Sequence, residues 1–322
     1  MNKILSALSL FAVLFAGSGA PAEPAYPARP VKIVLGFPAG TSVDVIVRVQ
    51  AKRLEEHFKQ PFIVENRLGA SGNIATAAVA RSAPDGLTLL ANGVSLAAGV
   101  SLFKNLPFDL LKDLEPVAFF GNAPYVLVVS PSLGIKSVAE LIALAKSRPG
   151  ELTYGSPGVG TGPAMSAELF ALSAGLRLTH IPYHGTNQAI IDLLGGRLSL
   201  MFAPAPTVAP LLNDKKVQVL AVSTAKRSAL FPDLPTLEEA GVANFDTSIW
   251  YAMWAPKGTP PDIISALNSV MVASMKDEEF KAILAKNGAE PLVATPAELD
   301  AFVRAEIKKW KAVVEYSGLT LE

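Results

Sequence analysis

A series of short apolar runs, most of them without a polar alternate face, constrains this chain more than anything else in it. They are "VKIVLGF", "PFIVEN", "GLTLLAN", "PVAFFG", "YVLVVSP", "LTYGSP", "LTHIPYH", "LSLMFAP", "VQVLAVST" and "WYAMWAP". Successive side chains of a strand point to opposite faces, so a strand apolar at every position must be covered on both. In sheets that cover is a layer of helices on each side. The intervening segments have helical period: Val47, Ala51, Leu54 and Phe58 form one apolar stripe, and Met165, Leu169 and Leu172 another. The expected class is therefore α/β, with these stripes in the core. A chain of 322 residues, 50% hydrophobic, exceeds what one core usually organises, which favours two lobes and a cleft over a single barrel.

In open α/β sheets ligands sit beyond the carboxyl ends of the strands, so the loops that follow strands are the informative ones. Four stand out. "GFPAGTSVD" runs from Gly36 to Asp44 and brings Thr41 and Ser42 to a helix start. "ANGVSLAAG" carries Asn92, Gly93 and Ser95. "YGSPGVGTGPAMSAELF" leads through Ser156, Gly158, Gly160, Thr161 and Gly162 into a helix. "IPYHGTNQAIIDLL" places His184, Gly185 and Thr186 before another. The first backbone N–H groups of a helix have no partner within it and stand at the positive end of its dipole. With small hydroxyls beside them and little bulk to bar approach, such loops suit a carboxylate or phosphate. Turn chemistry alone accounts for glycine between one strand and one helix; its repetition on several units favours a binding cleft.

Other chemistries fit less well. The 28 basic and 28 acidic residues give zero net charge, so no nucleic-acid partner is expected. There is no cysteine, which excludes disulfides and thiolate chemistry. "GSPGVGTG" matches neither phosphate-loop pattern and holds no Lys or Arg, so no nucleotide cofactor is expected. "YGSPG" and "GASGN" miss the nucleophile-elbow pattern at Tyr154 and Asn73. His180 and His184 flank "IPY", about 13 Å apart on an extended strand, and no acidic cluster accompanies them. We expect no metal site and no catalytic residue, with His57 a solvated surface residue. Asp44 stands at Thr41-x-x-Asp, a capping arrangement, in which it can also meet a ligand cation. Residues 1–25, "MNKILSALSLFAVLFAGSGAPAEPA", have the basic start, short apolar run and small-residue exit of a cleavable secretory signal, which predicts export to the periplasm.

Several stretches together carry a resemblance: "YPARPVKIVLGFPAG", "QPFIVENRLGASG", "APDGLTLL", "LPFDLLKDLEPVAF", "PGELTYGSPGVGT", "HIPYHG", "DLLGGRL", "LPTLEEAG" and "APKGTP". The chain resembles the solute receptors of tripartite tricarboxylate transporters, the Bug-type periplasmic binding proteins, over the whole region after the signal. The resemblance implies a two-lobed periplasmic binding protein fold (type II). Each lobe is a mixed, mostly parallel sheet flanked by helices, and the cleft lies between them. It implies residues 26–124 and 251–322 as lobe 1 and 125–250 as lobe 2. The hinge strands fall near Asn122 to Tyr125 and Thr247 to Ala252, and the chain is expected to be a monomer.

It also implies capture of a small organic carboxylate or dicarboxylate and delivery to membrane permease subunits. A ligand-sensing subunit for a membrane regulator needs the same closed form, and an exported hydrolase is the enzyme alternative. The family holds carboxylate oxygens with its first βα loop and its Ser-x-Gly-x-Gly loop. Here these positions are Phe37, Ala39, Gly40, Thr41 and Ser42, then Ser156, Gly158, Gly160 and Thr161. Three departures touch these loops: Thr41 where the family has glycine, Ala164 where it has histidine, and His184 where it has lysine. Ligand identity is therefore not transferable from relatives.

Overall fold

The computed structural model describes residues 26–213 and 217–321; the proposed signal, residues 1–25, lies outside them. Among the described residues nine strands are formed: β1 (Val31–Leu35), β2 (Phe62–Asn66), β3 (Thr88–Gly93), β4 (Leu114–Val129), β5 (Thr153–Ser156), β6 (Thr179–Pro182), β7 (Leu200–Pro204), β8 (Gln218–Val222) and β9 (Ser248–Pro256). Their order is β2-β1-β3-β9-β4-β7-β5-β6, with β8 also on β4. Parallel pairing is confined to the flanks, β2-β1-β3 on one side and β7-β5-β6 on the other. Every pairing of β4 and β9 is antiparallel.

The runs "PVAFFG" and "YVLVVSP" join into the single 16-residue β4. Its first part pairs with β9 as far as Pro124 opposite Ser248, and from Tyr125 opposite Pro204 it pairs with β7. Proline has no N–H to give a ladder and is tolerated at such a change of partner. The interior strands β1, β3, β4 and β7 are buried along most of their length, whereas the edge strand β6 is exposed or half-buried throughout. Pro182 is accordingly on an edge.

The helical stripes pack as their spacing demands. Val47, Ala51 and Leu54 are buried with β1 and β9 in one cluster, with Phe58 against it. Met165 and Leu169 are buried in a second cluster that also holds Trp250, Trp254 and Trp310. The C-terminal helix Pro296–Ser317 starts with Thr295, whose side chain caps the Glu298 N–H while Glu298 reaches back, and ends at left-handed Gly318. It packs on the helices Val94–Leu102 and Gly162–Ala174 and on β4, and so contacts elements from both flanks of the sheet. Among the described residues no helix is long and apolar enough to cross a membrane.

Candidate functional site

A cavity of about 720 Å³ opens where β4 and β9 pass between the flanks. Its wall includes Phe37, Gly40, Thr41 and Ser42 from the loop after β1, Val94 and Ser95 after β3, Gly160 and Thr161 after β5, and Thr186 after β6. The helices Ser42–Phe58, Val94–Leu102, Gly162–Ala174 and Thr186–Leu194 each place their first residue in it, and Ala205–Asn213 contributes Pro206 and Thr207. No Lys, Arg, His, Asp or Glu lines it among the described residues. The positive character of this cavity therefore comes from backbone: several helix N-termini converge on one space, each bringing free N–H groups and the positive end of a dipole.

The loop after β1 is held from behind. The Asp44 carboxylate accepts from the Gly40 N–H at 3.0 Å, from Arg48 Nε at 3.0 Å and from Asn66 Nδ2 at 2.8 Å; Asn66 Nδ2 also donates to the Phe37 carbonyl at 2.9 Å. Burial pushes the Asp44 carboxyl up, but the hydrogen bonds from Arg48, Asn66 and Gly40 outweigh it and hold it below the usual carboxylate range. One expectation is corrected here: Thr41 makes no side-chain cap, and its hydroxyl donates to the Pro38 carbonyl at 2.8 Å. Asp44 is not in the cavity wall; both of its oxygens brace the loop. Ala39 also lies outside the wall.

After β3 the same division appears. Asn92 is fully buried beneath the loop: its oxygen accepts from the Gly93 N–H at 2.8 Å and from Ser95 Oγ at 3.2 Å, and its nitrogen donates to Thr76 Oγ1 at 3.2 Å. Only Gly93, Val94 and Ser95 reach the cavity. Asn92 shapes the site from below.

After β5, Ser156 is likewise fully buried, and its hydroxyl oxygen accepts from the Gly158 N–H at 3.1 Å and meets His180 Nε2. Thr161 Oγ1 donates to the Gly158 carbonyl at 2.7 Å. Ser156 and Gly158 stand outside the wall, and Ala164 is buried in the helix that follows, so Gly160 and Thr161 are what this loop presents. Gly160 has φ +77°, and a Cβ on it would lie 2.8 Å from Leu102 Cδ1, so the loop passes too close to the helix Val94–Leu102 for a side chain.

Beneath this loop Tyr154 donates to the Glu168 carboxylate and stacks on the His180 ring at 4.6 Å. Burial raises the Glu168 carboxyl despite the Tyr154 hydrogen bond, and burial lowers His180. His184 and Gly185 line a shallower recess of about 380 Å³ that shares Thr186, Asn187 and Thr207 with the main cavity. They stand at its lip rather than in its wall. Among the described residues no cluster of His, Asp and Glu is placed to hold a metal ion.

Several wall residues carry no signal in the loops. Tyr125, Ile249, Trp250 and Tyr251 come from the two long strands, and Ser71, Thr207 and Asn287 from elements distant in sequence. The crossing strands are the one place where the sequence held a pointer, since the hinge was expected at Asn122 to Tyr125 and Thr247 to Ala252.

The chain is similar to known proteins over most of its length. The sequence model of the family described as "Tripartite tricarboxylate transporter family receptor" matches residues 46–319. Protein BugT of Bordetella pertussis is 39% identical over 325 residues, covering 100% of this chain and 99% of that protein. An R. palustris protein solved with adipate is 36% identical with a TM-score of 0.78, covering 92% of this chain and 99% of that one. MatC from Rhodopseudomonas palustris with bound malate is 29% identical with a TM-score of 0.75, covering 90% of this chain and 100% of that one. The chain belongs to the tripartite tricarboxylate transporter receptor family, whose members are periplasmic solute-binding receptors and not enzymes.

Proposed function

We propose that this receptor captures a small organic carboxylate or dicarboxylate in the periplasm and delivers it, as a monomer, to the permease subunits of a tripartite tricarboxylate-type transporter. The observation that carries this reading is a cavity with helix N-termini converging on it and no charged side chain in its wall. Such a wall binds an anion by oriented N–H groups and hydroxyls, and it offers a cation no carboxylate. The adipate and malate bound by the two R. palustris relatives support the ligand class.

Residues 26–124 with 251–322, and 125–250, are taken as two lobes. The change of partner along β4, between Pro124 and Tyr125, supports a hinge there. A ligand touching loops on both sides shifts the population toward closure, and the closed form is what a permease reads. Export follows from residues 1–25 acting as a cleaved signal.

The test is a thermal-shift screen of mono- and dicarboxylates against neutral sugars. A carboxylate at a hundred times its dissociation constant adds about 2.7 kcal/mol. Stabilisation by sugars with none by any carboxylate overturns the reading.

A further inference from the structure

Two phenols in the cavity wall have no work inside the protein. Tyr125 and Tyr251 are 3% and 6% exposed, and both line the cavity. Neither hydroxyl has a hydrogen-bond partner among the described residues. A buried phenol ordinarily finds one. The buried side-chain atoms that lack both a partner and solvent contact are Gln50 Oε1 and the Asn73 carboxamide. The two phenol oxygens are not among them, so each opens on the space that both residues line.

Their surroundings say what they would meet. The Tyr125 hydroxyl stands at the start of the helix Gly162–Ala174: a Cβ on Gly162 would lie 1.8 Å from it. It is thus beside the helix N-terminus that, in the proposed function, helps hold the ligand carboxylate. The Tyr251 ring stacks on Phe120 at 5.9 Å, which fixes its direction. Burial first, then the Tyr251 phenol and the Glu306 carboxylate, hold Tyr125 well above its ordinary value, and burial raises Tyr251. Both therefore remain neutral O–H groups, able to donate and to accept. Glu306, buried behind this wall, is engaged by Lys309, Trp250 and Trp310, so the groups that face the cavity here are neutral.

We propose that Tyr125 and Tyr251 form a specificity subsite for a neutral ligand oxygen, a hydroxyl or keto group on a carbon close to the bound carboxylate. The preferred ligands are then hydroxy- or oxo-carboxylates. This rests on the carboxylate reading above and adds to it a discrimination that helix N-termini alone do not make. A site with hydrogen-bonding groups left bare by the wrong ligand discriminates against it.

The experiment is calorimetric titration of matched pairs: malate against succinate, lactate against propionate, and 2-oxoglutarate against glutarate. The oxygen-bearing member of the best-binding pair should bind about three- to tenfold more tightly, the worth of one neutral hydrogen bond. Tyr125→Phe and Tyr251→Phe each remove only a hydroxyl without a protein partner, so both variants should fold, as circular dichroism would show. Each should shrink the ratio toward one, weakening the oxygen-bearing member more than the plain carboxylate. Plain carboxylates binding with no preference overturns the subsite alone. So does a preference that survives in the double variant, or an equal loss for both members of a pair. Failure of every compound in the panel to bind overturns the carboxylate reading together with it.

Discussion

His180 Nε2 lies 2.7 Å from Ser156 Oγ, beneath the loop that presents Gly160 and Thr161 to the cavity. The pair touches no open space in the cleft; it sets the shape of what does. The same hydroxyl also accepts from the Gly158 N–H, so one oxygen ties an edge strand to the glycine loop.

Ser156→Ala should therefore act on stability first and on affinity second. It leaves the Gly158 N–H and the His180 ring without their partner, at a cost of about 1–3 kcal/mol in urea unfolding. Affinity for the best carboxylate should fall by roughly two- to tenfold through loss of preorganisation. A hundredfold loss of affinity with unchanged stability would instead place this hydroxyl on the ligand.

His180 also gives the loop a pH dependence. Burial lowers its folded value below the ordinary imidazole range, so around pH 6.5 and below the unfolded chain binds the extra proton more readily. Stability is thus fully present above the unfolded value and is lost as pH falls toward the folded one. Glu168 acts in the opposite sense: burial raises its carboxyl, so its contribution is present below the unfolded value and lost as pH rises through the folded one. The His180 contribution to Tm should fall between about pH 7 and pH 5, so His180→Gln should change the slope of Tm against pH in that window relative to wild type. An unchanged slope in that variant would exclude His180 as the source.

What the sequence shows and what it hides divide along physical lines. Fully apolar runs and helical stripes depend on local pattern, and β1, β3, β4 and the buried Val47, Ala51 and Leu54 follow from them. Loops after strands are also local, and they deliver Thr41, Ser42, Ser95, Gly160, Thr161 and Thr186 to the cavity. Polar residues within those loops are ambiguous, because a short side chain can serve a ligand or its own backbone. Asp44, Asn92 and Ser156 do the second. Tyr125 and Tyr251 fall within the strands expected at the hinge, but that they line the cavity depends on how β4 and β9 pass between the flanks, a tertiary fact that no local period encodes.

Gly160→Asp tests the loop most directly. A Cβ there meets Leu102 Cδ1, the end of a flexible side chain, and the positive φ disfavours any side chain. We expect a destabilisation of about 1–3 kcal/mol, together with a like charge set against the bound carboxylate. Gly160→Asn carries the same strain without the charge. Titration should show Asp weakening carboxylate binding at least tenfold more than Asn; equal losses would mean that strain, not charge, is what the ligand senses.

Glu306 offers the sharpest separation of acceptor from charge. It is 5% exposed, and its Oε2 accepts from Trp250 Nε1 and from Trp310 Nε1, each at 3.0 Å, while Lys309 pairs with the other oxygen. Glu306→Ala strips two buried indole N–H groups of their acceptor and leaves a cavity, which should cost about 3–5 kcal/mol. Glu306→Gln keeps one carbonyl oxygen able to take both indoles but replaces the ion pair to a partly exposed lysine with an amide N–H group, for a smaller cost of about 1–2 kcal/mol. Urea unfolding followed by tryptophan emission reads both variants at once, since two of the three tryptophans donate to this carboxylate. If Gln proves as damaging as Ala, the charge of Glu306, rather than its place as shared acceptor, is what holds the C-terminal helix to β9.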